Sequence, residues 1–127
     1  MGSALTDREM DVMAVLWELG SATVTEVQER LDDELAYTTV LTILRILEEK
    51  GIVRHEKEGR AHRFLPRLAR AEAGQTVLDR LREKVFSGSS ELLMTHLVSN
   101  EDLPAETIRK LQALLDERLG ETKVEEE

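Results

Sequence analysis

The hydrophobic period of this chain changes at Gly51, and that change constrains the fold more than any other feature. Residues 37–51 read YTTVLTILRILEEKG, and their apolar side chains recur at the i, i+4, i+7 spacing that gives a helix one buried face. The residues at that spacing are Val40, Leu44 and Leu47. We therefore predict a helix over this stretch, ended by Gly51, with a polar face that points outward.

The residues that follow favour a β-hairpin. The sequence IVRHEKEGRAHRFLP has no helical stripe, contains Glu58-Gly59 at its centre and ends at Pro66. We predict strands over 52–57 and 60–65, joined by a two-residue turn in which Gly59 adopts a positive φ. A longer loop is the alternative, because Glu-Gly is a weaker turn signal than Asn-Gly.

A two-residue turn would also fix which residues face each other across the hairpin. The predicted cross-strand pairs are Val53 with Phe64, Ile52 with Leu65, Arg54 with Arg63, and His55 with His62. Lys57 and Arg60 would then form the tip. Like charges directly opposite each other, as at Arg54 and Arg63, destabilise a sheet unless an anion lies between them. This register hints at an anionic partner.

The residues before position 37 predict two further helices. A capping box at Thr6 and Glu9 starts the first helix, and Gly20 is a natural stop. Residues 22–24 look extended and could form a brief strand. A short second helix follows, and the residues of its weaker capping box are Thr25 and Gln28. Helix, strand, helix, helix and hairpin, in that order, is the plan of a winged helix-turn-helix.

The predicted fold class is therefore mainly α (α+β). We assign the winged helix-turn-helix domain to residues 1–68, C-terminal dimerisation helices to residues 69–120, and an acidic, disordered tail to residues 121–127. The apolar residues that we expect at the dimer contact are Leu81, Val85, Leu92, Leu97, Leu111, Leu114 and Leu115. These helices are too few to form their own core, so we expect them to pack against a second copy of the chain. Packing within one chain is the alternative.

Charge is distributed unevenly along the chain. The net charge is −9, which by itself argues against nucleic acid. Residues 45–70, however, carry eight Arg or Lys against four Glu, a local charge of +4, whereas residues 1–44 carry −7 and residues 71–127 carry −6. One basic block in an acidic chain marks a localised binding surface.

The outward face of the third helix suits DNA. At the same spacing this face reads Thr38, Thr42, Arg45 and Glu49, with Thr39 beside its start. We predict that Thr38, Thr39, Thr42 and Arg45 read base edges from the major groove. A threonine hydroxyl can bond a base or a phosphate, and its methyl can pack on thymine. The residues that we expect at the DNA backbone are Tyr37, Arg54, Lys57, Arg60 and Arg63. The alternative is that Thr38 or Thr39 only caps the helix.

These stretches together resemble one known family. LTDREMDVMAVLW (5–17), TVTEVQERL (23–31), AYTTVLTILRILEEKGIV (36–53) and GRAHRF (59–64) are similar to the BlaI/MecI penicillinase repressors, which also include the CopY-type copper repressors. The resemblance implies a dimeric bacterial repressor that reads an operator with inverted half-sites. It places recognition on Thr39 and Thr42. The staphylococcal members, whose threonines align with these two, carry a basic residue between them, where this chain has Leu41, so the operator sequence cannot be transferred.

The resemblance also implies two modes of induction, and this chain departs from both. Copper sensing in the family uses C-terminal cysteines, and the chain has none. Penicillinase-type members are released from DNA when a membrane-bound sensor protease triggers cleavage in the C-terminal region. The staphylococcal members are cleaved at an Asn-Phe bond in the segment that matches Ser90–Leu97, and that place reads Met94, Thr95, His96, Leu97 here.

Other functions have less support from the sequence. A winged helix can serve as a protein-interaction module, and Tyr37, Leu41 and Ile46 would then form an apolar docking patch. Catalytic motifs and phosphate-binding glycine loops are absent, so we expect no enzyme and no cofactor. His55 and His62 lack a third ligand, so we expect no metal site. Because no apolar run reaches the roughly 18–20 residues of a membrane helix, we expect no membrane contact and a cytoplasmic location.

Overall fold

The computed structural model describes residues 5–126. The first four residues of the predicted winged domain and Glu127 of the predicted tail therefore lie outside the described residues. The elements in chain order are α1 (Asp7–Leu19), β1 (Ala22–Thr23), α2 (Val24–Arg30), α3 (Tyr37–Glu49), β2 (Val53–Glu58), β3 (Ala61–Pro66), α4 (Arg70–Val85), α5 (Ser90–Asn100) and α6 (Ala105–Glu126). The chain forms two compact units, which divide within α4 between Leu81 and Arg82.

Capping boxes start the first two helices. At α1 the Thr6 side chain accepts from the Glu9 N–H and the Glu9 carboxylate accepts from the Thr6 N–H, as predicted. At α2 the same reciprocal pair is made by Thr23 and Glu26. Our assignment of this second box to Thr25 and Gln28 was wrong, because α2 begins as soon as the two-residue strand β1 ends.

The first unit is built around α3, whose boundaries agree with the sequence. Its predicted stripe of Val40, Leu44 and Leu47 is fully buried, and Gly51 adopts a φ of 78° just after the helix ends. The stripe packs against apolar side chains from the other elements of this unit. The buried residues of the core are Val12, Met13, Val15, Leu16, Ala22, Val24, Val27, Val40, Leu44, Leu47, Ile52, Val53 and Phe64.

The three strands form an antiparallel sheet in the order β1-β3-β2. The hairpin has a two-residue turn, but its central residues are Gly59 and Arg60, one position later than predicted. Only Gly59 of this pair has a positive φ, 63°, which fits a type II′ turn with glycine at the first central position.

This turn changes every cross-strand pair in the predicted register. The observed partners are Val53 with Pro66, Arg54 with Leu65, His55 with Phe64, Glu56 with Arg63, Lys57 with His62, and Glu58 with Ala61. Arg54 therefore does not face Arg63, and His55 does not face His62. The hint of an anion between two facing arginines was wrong, since Arg63 lies opposite a glutamate.

The second unit contains the end of α4 together with α5 and α6. Ser87 and Gly88 separate α4 from α5, and both have positive φ values, 51° and 79°. The Ser89 side chain accepts from the Leu92 N–H at the start of α5. No residue of α5 is buried. We expected the last helix to end near Gly120 and a disordered tail to follow, but α6 continues to Glu126.

Among residues 5–126, no helix combines the length and the apolar character that a bilayer crossing requires.

Candidate nucleic-acid interface

The outward face of α3 carries all four residues predicted to read DNA bases. Thr38, Thr39, Thr42 and Arg45 are exposed, opposite the buried stripe of the same helix. The Thr42 hydroxyl donates to the Thr38 carbonyl at 2.9 Å. Because that bond uses its only proton, the Thr42 oxygen presents lone pairs, and its methyl is free for an apolar contact. Arg45 has no hydrogen-bond or ion-pair partner among the described residues.

No side chain caps the start of α3. The residue at the cap position is Ala36, and its methyl group accepts no hydrogen bond. The alternative in which Thr38 or Thr39 caps this helix is therefore wrong. Of the first three N–H groups of α3, that of Thr39 donates to the Ala36 carbonyl at 3.0 Å, whereas those of Tyr37 and Thr38 have no side-chain acceptor. The positive end of the helix dipole lies at the same place. Such an end favours a phosphate.

The hairpin is held close to the end of α3. The Ile52 N–H donates to the Leu47 carbonyl at 3.0 Å, across the turn that Gly51 makes. At the third residue of β2, His55 Nδ1 hydrogen-bonds a carboxylate oxygen of Glu48. These contacts join α3 to β2, so the hairpin, which we call the wing, is attached directly to α3.

The cations of the wing divide into a free and an engaged group. Lys57 and Arg60 are exposed near the tip, and neither has an ion-pair or hydrogen-bond partner within the part of the chain that the structure describes. Arg54 is also exposed but is paired with Glu56 at 2.7 Å. The two free cations lie on either side of Gly59, where the turn carries them away from the core.

Arg63 is the engaged member of the predicted backbone set. Its guanidinium donates to both carboxylate oxygens of Glu58 at 2.9 Å, to Glu26 Oε1 at 3.0 Å, and to the Ser21 hydroxyl at 3.3 Å. The side chain is 26% exposed. Hydrogen bonds to Glu58 and Glu26 raise the pKa of Arg63, so it stays charged at every accessible pH.

The pKa values of the two carboxylates that pair with Arg63 are lowered. A backbone hydrogen bond from Thr23, followed by the bond from Arg63, lowers the pKa of Glu26, and the bond from Arg63 lowers the pKa of Glu58. Arg63 thereby fastens the wing to the start of α2. The predicted contact of Arg63 with the DNA backbone stays a prediction; in the single chain its guanidinium supports the wing.

Sequence reasoning missed this network. Glu26 was not predicted as a partner of Arg63, because the second capping box was assigned to the wrong threonine. Glu58 was not predicted as a partner because it was assigned to the turn. The T-x-x-E spacing of Thr23 and Glu26 was the available signal.

A second missed contact is made by Lys50, the residue at the C-terminal cap of α3. Lys50 Nζ lies 2.8 Å from Glu9 Oε1, and the Glu9 side chain is 6% exposed. Burial disfavours the charged form of Glu9, but hydrogen bonds from Lys50 and Thr6 outweigh that effect and hold its pKa below the usual value. This ion pair joins the start of α1 to the end of α3.

The apolar docking patch expected of a protein-interaction module is incomplete. Tyr37 is 48% exposed and Ile46 40% exposed, but Leu41 packs against the core. The wing histidines lie close together without forming a metal site, since the rings of His55 and His62 stack with centroids 4.4 Å apart. No group of three potential metal ligands exists among residues 5–126.

The residues predicted for the dimer contact are exposed in the single chain. Their side chains range from 38% exposed at Leu81 to 64% exposed at Val85. The complete set is Leu81, Val85, Leu92, Leu97, Leu111, Leu114 and Leu115. The predicted cleavage segment, Met94 to Leu97, lies within α5, where the ring of His96 rests 5.7 Å from that of Phe86.

Comparison with known sequences gives one family and several relatives. A family model described as penicillinase repressor matches residues 5–117. The chain is 26% identical over 121 residues to a penicillinase repressor of Bacillus licheniformis, a match that covers 94% of each protein. It is 35% identical over 117 residues to the transcriptional regulator BlaI of Mycobacterium tuberculosis, which covers 88% of this chain and 85% of the regulator.

Comparison with solved structures agrees with the fold. The solution structure of the DNA-binding domain of the repressor BlaI is similar to this chain with a TM-score of 0.50 and 30% sequence identity, and covers 57% of this chain and 93% of that domain. The crystal structure of YusO from Bacillus subtilis gives a TM-score of 0.52 at 19% identity, covering 91% of this chain and 75% of YusO, a likeness of fold alone.

Proposed function

Since the chain belongs to the penicillinase repressor family, a family of DNA-binding transcriptional repressors and not of enzymes, we propose that it binds a DNA operator with two inverted half-sites as a homodimer. The observation that carries this proposal is the exposed, uncapped start of α3. Its polar face offers hydroxyls, methyls and one guanidinium, the groups that distinguish base pairs in the major groove.

Base readout is assigned to Thr38, Thr39, Thr42 and Arg45. The three threonines lie within the first two turns of α3, the part of a recognition helix that enters the groove most deeply. Thr42 can accept a hydrogen bond and pack its methyl on thymine. Arg45 lies one turn further along and has no protein partner in the described residues, so it can reach a guanine edge or a phosphate.

Backbone contact is assigned to Tyr37 and to the wing. Tyr37 is the first residue of α3, and its N–H and that of Thr38 can donate to a phosphate. Lys57 and Arg60 supply unpaired charge near the tip, and Arg54 can exchange its exposed partner Glu56 for a phosphate. We propose that Arg63 supports these residues by holding the wing in position.

Dimerisation is assigned to α4, α5 and α6. The exposed leucines of these helices form more apolar surface than a small monomer usually leaves in water. A two-fold dimer would present two copies of α3 about 34–36 Å apart, one turn of duplex, and would match an inverted repeat.

Release by proteolysis completes the proposal. We place the cleavage in the exposed segment Met94 to Leu97, carried out in response to a membrane-bound sensor protease while the repressor itself acts in the cytoplasm. Cleavage there would separate α6 from the DNA-binding unit. It would remove Leu111, Leu114 and Leu115 from the proposed dimer contact and weaken operator binding.

Selection of bound duplexes from a random pool tests the function. We expect enrichment of an inverted repeat whose half-sites are one helical turn apart. The matched control is the triple variant Thr38→Ala, Thr39→Ala, Thr42→Ala, which keeps the wing and should bind DNA without enriching that repeat. A wild-type chain that enriches no sequence would refute the proposal.

A further inference from the structure

A single tryptophan anchors the segment that leads from the wing into α4. Trp17, on α1, is the only tryptophan of the chain, and its indole Nε1 donates to the Leu68 carbonyl at 2.8 Å. The guanidinium of Arg70 lies 5.8 Å from the centre of the same ring, within range of a cation–π contact. One side chain thus touches the residues on both sides of the point where α4 begins.

Two further hydrogen bonds fix this segment: one joins it to Ile52, just before β2, and the other lies within the segment itself. The Arg67 N–H donates to the Ile52 carbonyl at 2.8 Å, and the Glu72 carboxylate accepts from the Ala69 N–H at 3.3 Å. One turn into α4, Ala73 is 4% exposed. Beyond this residue the apolar side chains of α4 are exposed, with Val77 at 39% and Leu78 at 46%. The elements α1 to β3, which we call the winged unit, therefore contact α4 only at its first turn.

We propose that Trp17 is a positioning residue that fixes the direction in which α4 leaves the winged unit, and thereby sets the half-site spacing that the repressor accepts. This inference rests on the proposed function, because spacing has meaning only for a dimer on a two-part operator. Trp17 itself lies on α1 and is not part of the proposed DNA surface.

The length of α4 explains why a contact at its base can matter. Its 16 residues span about 24 Å at the rise of an α-helix. A tilt of about 10° at the first turn would displace the far end by about 4 Å, more than the 3.4 Å that separates successive base pairs along a strand. A loosened anchor would therefore let each half of the dimer reach half-sites that are one base pair closer or further apart.

The test compares spacing preference in the full-length wild type and in Trp17→Phe. Phenylalanine keeps an apolar ring in the site but has no N–H for the Leu68 carbonyl. Affinities are measured by fluorescence anisotropy on duplexes whose two half-sites are constant and whose spacing varies from two base pairs shorter to two longer. A duplex with one half-site is the control for DNA contact.

We expect Trp17→Phe to bind the single half-site within about twofold of wild type and to lose at least fivefold of the preference for the best spacing over its neighbours. A wild-type spacing preference in this variant would overturn the inference, as would a loss of half-site affinity with the spacing preference unchanged. If the wild-type chain bound no duplex, the proposed function itself would fail.

A second variant keeps the inference testable if Trp17→Phe does not fold. Arg70→Gln removes the cation above the ring without disturbing the core, and we expect it to relax the spacing preference at least twofold. Arg80→Gln, an identical change at an exposed position of α4, is the matched control and should behave as wild type. Equal spacing profiles for Arg70→Gln and Arg80→Gln would contradict the role assigned to the anchor.

Discussion

Removal of the two free wing cations should change how DNA affinity depends on salt. The perturbation is the double variant Lys57→Ala, Arg60→Ala. These side chains are chosen because they have no partner among residues 5–126, so each is free to neutralise a phosphate and displace a condensed counterion. Arg63 is left intact, because its substitution would loosen the wing as a whole.

The size of the effect follows from the number of contacts. Two cations per protomer make four in the proposed dimer, and each phosphate contact contributes about 0.9 to the slope of log affinity against log salt. The variant should therefore lower the steepness of that slope by up to about 3.6. Between 50 and 200 mM salt, the wild type would lose about 150-fold more affinity than the variant does.

The assay is fluorescence anisotropy of a labelled duplex at several salt concentrations, with both the selected operator and a scrambled duplex of equal length. The matched control is Arg80→Ala, Lys84→Ala, which removes the same charge from α4. We expect the control to keep the wild-type slope. Equal slopes in the wing variant and the wild type, on both duplexes, would refute the assignment of the wing to the DNA backbone.

Three other perturbations test separate parts of the molecule. Thr42→Ala should cost about 1–3 kcal/mol at particular base pairs and little elsewhere, measured on operators with single base-pair changes; equal losses on all duplexes would remove Thr42 from base readout. Leu111→Glu with Leu115→Glu should convert a dimer into a monomer in sedimentation equilibrium, because charges would enter the apolar contact, and an unchanged mass would move that contact elsewhere. Glu9→Gln should lower the free energy of unfolding at neutral pH by about 2 kcal/mol, measured with urea, because the buried, charged hydrogen bond between the Glu9 carboxylate and Lys50 is lost. Since the pKa of Glu9 is below its usual 4.5 in the folded chain, the wild-type advantage should be complete above that value and decline as the pH falls through the native pKa; an advantage that did not decline in acid would contradict the ion pair.

The parts of the fold that the sequence predicts well are those set by local signals. The capping box of Thr6 and Glu9 and the spacing of Val40, Leu44 and Leu47 each depend on residues within a few positions of one another. Such signals fix the bounds of α1 and α3. The polar face of α3, and with it the proposed readout surface, follows from the same spacing.

Local sequence signals did not predict the register of the hairpin. Glycine can occupy either central position of a tight turn, since types I′ and II′ both accept it there. A shift of one residue in the turn was enough to change every partner and to separate Arg54 from Arg63. The observed turn places Arg63 opposite Glu56 instead.

The contacts that support the site join residues distant in sequence. Arg63 meets Glu26, Lys50 meets Glu9, and Trp17 meets Leu68, with separations of 37, 41 and 51 residues. No periodicity in the sequence encodes these pairs, because they depend on how the elements pack. The division of the wing cations into free and engaged groups arises only from that packing.

An amide chemical-shift map of the intact chain on its selected duplex tests the central claim most directly. The prediction is that the largest ¹H–¹⁵N shift changes cluster between Tyr37 and Arg45 and between Lys57 and His62, while Ala105 to Glu121 in α6 change little. A duplex that left the amides of α3 and of the wing tip unshifted at saturating concentration would contradict the claim that these two elements meet DNA together.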